Sequence, residues 1–90
     1  MMYKLYVFTG EFCPACKSFK STYKRVVMEM ENLFEFMEVN AEVNTDEVLR
    51  MKVQAIPTTI LTENGIELWR KVGTIKYEDF KSMLEMYLEE

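Results

Sequence analysis

Histidine is absent from this 90-residue chain, cysteine occurs twice, and glycine and proline together fill only five positions. Each scarcity rules something out. A structural zinc site typically takes four Cys or His ligands, so the chain cannot close one alone. Metal binding would need a second chain or a cluster shared with glutathione. With so little Gly and Pro and 49% hydrophobic residues, the composition is that of a folded core and not of a disordered tail. No apolar run reaches the length of about 18 residues that a membrane-spanning helix requires. Basic residues number 11 against 15 acidic, a net charge of −4, which argues against nucleic acid or an anionic membrane as the main partner. The chain does not open on a basic segment, apolar stretch and cleavage site, so a cytoplasmic setting is expected. Its length suits one domain, residues 1–90.

What is present centres on Thr9-Gly10-Glu11-Phe12-Cys13-Pro14-Ala15-Cys16-Lys17, which holds both cysteines three positions apart. An apolar run, Leu5-Tyr6-Val7-Phe8, leads in, and a helical pattern follows. Cys13 then falls at the N-cap and Pro14 at the first helical position, where a missing N–H costs nothing. A neutral cysteine is a poor N-cap, but a thiolate is a good one. The unpaired N–H groups of the first turn and the positive end of the helix dipole both stabilise negative sulfur. In a reducing compartment, paired cysteines at this spacing point to catalysis or metal binding before a structural staple. Cys13 is the expected nucleophile, attacking a disulfide as thiolate; Cys16, one turn on, then attacks Cys13 and frees the product.

The remaining pattern alternates strands and helices. Tyr3 to Phe8 reads as a strand covered on both faces. Cys16, Phe19, Tyr23, Val26, Val27 and Met30 recur at helical spacing, and that helix is expected to end near Asn32. Leu33 to Val39 predicts a second strand with Phe34, Phe36 and Glu38 in line, reached by a right-handed parallel crossover. Asn44 with Glu47 three residues later resembles a capping box for a short helix through about Lys52. Thr58 to Thr62 is the third strand, and Asn64-Gly65 turns it into an antiparallel return over Ile66 to Val72. Lys76 to Leu88 closes the chain as a helix with Tyr77, Phe80, Leu84, Tyr87 and Leu88 inward.

This β-α-β-α-β-β-α order, with Cys-x-x-Cys at the first strand–helix junction, resembles the thioredoxin family. Ile56-Pro57-Thr58 is similar to the family's Ile-Pro-Thr, Glu63-Asn64-Gly65 to its hairpin tip, and Lys71-Val72-Gly73 to its Val-Gly, with gap-free spacing from Cys16 to Pro57 and from Pro57 to Gly73. The resemblance implies an α/β protein of minimal thioredoxin fold, with a four-stranded mixed sheet flanked by three helices. It also implies a cis peptide before Pro57 lying against the cysteine pair. A substrate surface made of Phe12, Pro14, Ala15, Ile56, Pro57 and Gly73 goes with it, where Ile56 pairs with an extended segment. The implied activity is thiol–disulfide oxidoreduction on protein disulfides. It needs no bound cofactor or metal, and electrons come from an NADPH-dependent thioredoxin reductase or its equivalent. A monomer is expected, with no nucleic-acid or membrane partner.

The chain also departs from the pattern. It lacks the extra N-terminal strand and helix of ordinary thioredoxins. Pro14-Ala15 replaces Gly-Pro, Phe12 replaces a tryptophan, and Val7 stands where the family keeps a buried aspartate. Glu38 stands at the position of that aspartate's lysine partner. An inward Glu38 would have a raised pKa and serve as proton acceptor for Cys16; a solvated carboxylate paired with a lysine is the alternative. Three other functional readings stay open at this level. The first is a glutaredoxin recharged by glutathione, although the Gly-Gly-x-x-Asp-like segment of that family is missing after Val72. The second is a non-catalytic binding module switched by its redox state. The third is a cluster-bridging dimer.

Overall fold

Strand β1 (Tyr3–Thr9) is the axis of the computed structural model, which describes residues 2–88. Its central residues Leu5, Tyr6, Val7 and Phe8 are all buried, because helices cover both faces of the sheet. The chain leaves β1 through Gly10–Phe12 into α1 (Pro14–Glu29), then returns along β2 (Glu35–Asn40), parallel to β1. After α2 (Thr45–Arg50), β3 (Thr58–Glu63) runs antiparallel on the other side of β1, and β4 (Ile66–Val72) pairs antiparallel with β3. The order across the sheet is β2-β1-β3-β4. The last helix, α3 (Tyr77–Leu88), completes a four-stranded mixed sheet with three helices, the fold expected from the sequence.

The two-residue alternation of β1 divides the core. Leu5 and Val7 join Phe19, Tyr23 and Val26 of α1, Leu61 of β3, and Phe80 and Leu84 of α3. Tyr6 and Phe8 point the other way, to Val39, Val53 and Ile60, with Val48 of α2 packed on this smaller cluster. Phe19 stacks on Phe80 at 5.9 Å between centroids, so α1 and α3 touch through rings.

Several local expectations need correction. Helix α1 ends at Glu29, not near Asn32: the N–H of Met30 closes it on the carbonyls of Val26 and Val27. Strand β2 starts at Glu35, leaving Leu33 outside it and 46% exposed. The capping box at Asn44 does not form. Its side-chain amide donates to the Asn40 carbonyl at 2.9 Å, and Glu47 is held by Arg50. Helix α2 is also shorter than expected, because Lys52 turns left-handed at φ 57°. Tyr87 lies at the rim, its hydroxyl donating to the Leu68 carbonyl; Val27 is only half-buried.

Candidate active site

The three residues Gly10–Phe12 carry the chain from the end of β1 to Cys13, whose extended backbone (φ −119°, ψ 104°) makes it the N-cap of α1, with Pro14 directly after it. The Cys13 sulfur accepts the N–H of Cys16 at 3.1 Å, and the Lys17 N–H bonds the Cys13 carbonyl at 3.0 Å. An anion at that sulfur would meet an amide already aimed at it, beside the positive end of the helix dipole. The two cysteines are joined as a disulfide, with their Cα atoms 5.2 Å apart. They are not equivalent. Cys16 is 2% exposed on the buried face of α1, whereas Cys13 is only half-buried.

A second segment closes over the pair. The Ile56–Pro57 peptide is cis, and the Ile56 carbonyl oxygen lies 3.9 Å from the Cys13 sulfur. Pro57 is buried, and its own carbonyl accepts the N–H of Gly73 at 2.8 Å, which brings the end of β4 to the same corner. Gly73 sits at φ +98°, a conformation that side chains rarely adopt. Phe12 stands 82% exposed just before Cys13, and Pro14 and Ala15 are exposed after it. Ile56 thus reaches the Cys13 sulfur, Gly73 joins through the Pro57 carbonyl, Phe12, Pro14 and Ala15 flank Cys13 along the chain, and Glu38 stands apart in β2.

Glu38 projects from β2 into a neighbouring cleft of about 480 Å³ that Cys16, Lys20 and Tyr23 also line. Its carboxylate is already engaged. The buried Tyr23 ring ends in a hydroxyl that donates to one oxygen, and Lys24 pairs with the other at 3.2 Å. Partial burial pushes the Glu38 pKa up, but the Tyr23 hydroxyl and the Lys24 ammonium outweigh it, so the carboxyl titrates below its ordinary value. The raised pKa expected of an inward acid is therefore not what the structure gives. Burial, then the bond to Glu38, pushes Tyr23 upward instead.

Sequence reasoning missed two residues. Glu42, in the loop after β2, accepts the Glu11 N–H at 3.1 Å and buttresses the segment before Cys13. A Cβ added at Gly10 would come within 2.7 Å of Ile56 Cδ1 and 3.0 Å of Glu42 Oε2, so a side chain there would push the ends of those two side chains aside. No local signal marks Glu42, because its partner is 31 positions away. The other is Thr59, fully buried on β3 opposite Val7. Among the described residues, its hydroxyl is the one buried side-chain polar atom without a hydrogen-bond partner.

An accessible sulfur held by helix amides, with a buried one in bonding reach, defines a thiol–disulfide oxidoreductase. The comparisons agree. The thioredoxin family model matches residues 3–86. Thioredoxin 1 of Chlorobaculum tepidum is 28% identical over 74 residues, covering 82% of this chain and 73% of that protein. The thioredoxin of Buchnera aphidicola is 24% identical over 82 residues, covering 91% and 75%. Among solved structures, thioredoxin of Trypanosoma brucei brucei superposes with a TM-score of 0.88 at 21% identity, over 99% of this chain and 77% of that one. Thioredoxin-2 of a malaria parasite reaches a TM-score of 0.89 at 19% identity, over 94% and 82%. The chain belongs to the thioredoxin family, and its electrons travel through the Cys13–Cys16 pair itself. Family membership implies disulfide-containing substrates and a reductase partner in general. Among the described residues no cluster of His, Cys, Asp or Glu could hold a metal ion, and no helix is long and apolar enough to cross a membrane.

Proposed function

We propose that this protein reduces disulfides in other proteins, with Cys13 as the attacking thiolate and Cys16 as the resolving thiol. The observation that carries the reading is the asymmetry of the pair. The Cys13 sulfur is reachable and accepts the Cys16 amide at 3.1 Å, while Cys16 is 2% exposed. In the first step the Cys13 thiolate bonds one substrate sulfur, and the other leaves with the electron pair and takes a proton. In the second, Cys16, having lost its proton to solvent through the adjoining cleft, attacks Cys13. The bond to substrate breaks, the substrate sulfur departs as thiolate, and the Cys13–Cys16 disulfide remains.

Docking follows from the corner around Cys13. An extended substrate segment lies along Ile56, bordered by Phe12, Pro14, Ala15, Pro57 and Gly73, and main-chain pairing gives affinity without a fixed sequence. Glu38 serves as an anchored carboxylate and not as the base. An NADPH-dependent thioredoxin reductase restores the dithiol, and the protein works in the cytoplasm as a monomer of one domain, residues 1–90.

Insulin reduction with single-cysteine variants tests this. Cys13→Ser should abolish turnover. Cys16→Ser should accumulate a mixed disulfide with substrate, read as a mass adduct. Turnover retained by Cys13→Ser would overturn the assignment. Driving the wild type with thioredoxin reductase or with glutathione identifies the electron donor, and faster glutathione-driven turnover would reject the reductase.

A further inference from the structure

A fully buried hydroxyl with no partner is costly, and native folds rarely tolerate one without a use for it. Thr59 is such a case: it is 0% exposed and its Oγ1 is unpaired in the disulfide form. Its neighbour Thr58 is equally buried, yet the Thr58 hydroxyl donates to the Ala55 carbonyl at 2.6 Å.

The place of Thr59 in the sheet points to its use. Thr59 lies directly opposite Val7 across the β1–β3 ladder, so both side chains leave the sheet on one face. That face carries Val7, Leu61, Phe19 and Tyr23, the cluster under α1. Cys16 is the first buried residue of α1. Its sulfur is one bond from the Cys13 sulfur, which itself touches the Ile56 carbonyl three residues before Thr59. The β3 hydroxyl and the resolving sulfur are therefore brought to the same end of the same face.

We propose that the Thr59 hydroxyl donates a hydrogen bond to the Cys16 sulfur when the disulfide is opened. The inference rests on the assignment of Cys16 as resolving thiol. In the disulfide, Cys16 is a weak acceptor and the hydroxyl goes unpaired. Reduction by the dithiol-restoring reductase breaks the sulfur–sulfur bond and two electrons enter the pair; with two protons Cys16 is a thiol, and with its proton released to solvent it is a thiolate, and either can accept. On the return step the Cys16 thiolate, held by Thr59, attacks Cys13; the electron pair leaves on the substrate sulfur and the hydroxyl is released. Thr59 thus favours the reduced form over the oxidised one and makes a thiolate available at a buried position where Val7 offers no polar group.

Thr59→Val, of nearly the same shape, removes the hydroxyl, and Thr59→Ser keeps it. Because the bond favours the reduced form, its loss should move the reduction potential to a more negative value. The expected change is about tenfold in the thiol–disulfide equilibrium constant, ~30 mV. In a Cys13→Ser background, thiolate absorbance should show about tenfold less Cys16 thiolate at a given pH for Thr59→Val. The reduced form of Thr59→Val should unfold at lower urea than wild type, whereas the oxidised form should not. Thr59→Ser should stay close to wild type in each measurement. An unchanged potential in Thr59→Val, or an equal change in both variants, would overturn the proposal. These readouts do not depend on turnover, so a wild type that fails to reduce insulin would reject the proposed function while leaving Thr59 separately measurable.

Discussion

Tyr23 shows how a single hydroxyl fixes the state of a neighbouring acid. Its ring is fully buried between Phe19 and Phe36, and its hydroxyl finds Glu38 at the mouth of the cleft. The bond lowers the Glu38 pKa in the folded state. A depressed carboxyl pKa contributes stability above the unfolded value and loses it as pH falls through the folded one. Tyr23→Phe should therefore cost about 1 kcal/mol at neutral pH, less than a fully buried bond to a charged partner because solvent and Lys24 still screen the acid. The gap from wild type should shrink as pH drops below about 4.3. Urea midpoints of both proteins at pH 7 and pH 3 check this; a gap that persists in acid would mean that ring packing and not the hydrogen bond was lost.

At the scale of elements, helix α2 is the least self-sufficient piece. It is six residues long and buries none of them fully. The two residues that follow it find a donor from outside: Arg70 of β4 reaches the Met51 and Lys52 carbonyl oxygens at 2.7 and 3.2 Å, its other edge steadied by Glu67. Arg70→Ala should cost about 1–2 kcal/mol, read as a lower urea midpoint at an unchanged slope; a stability equal to wild type would deny the arginine this role. The same helix marks the limit of what the sequence made legible. Cys13, Pro14 and the apolar stripe of α1 obey rules that act within one or two turns, and the strands declare themselves by β-branched runs and an Asn-Gly turn. The Asn44–Glu47 signal was equally local, but Asn40 and Arg50 competed for those two side chains and won. The corner around Cys13 was readable because Ile-Pro-Thr and Val-Gly carry it as motifs. Glu42 and Thr59 escaped because each matters through a residue brought near only by the sheet.

At the scale of the whole molecule, β1 separates a larger core beneath α1 and α3 from a smaller one beneath α2. Stability should divide the same way. Amide hydrogen exchange is expected to be fastest across residues 44–53 and slowest in β1 and β3, where Leu5, Val7, Ile60 and Leu61 are fully buried. Uniform protection across both sides would contradict that division. The helix that bears the sulfurs, α1, is thus rooted in the sturdier half of the molecule. A protease nibbling at the weaker flank would find its foothold around Asn44 and leave the electron-carrying corner standing.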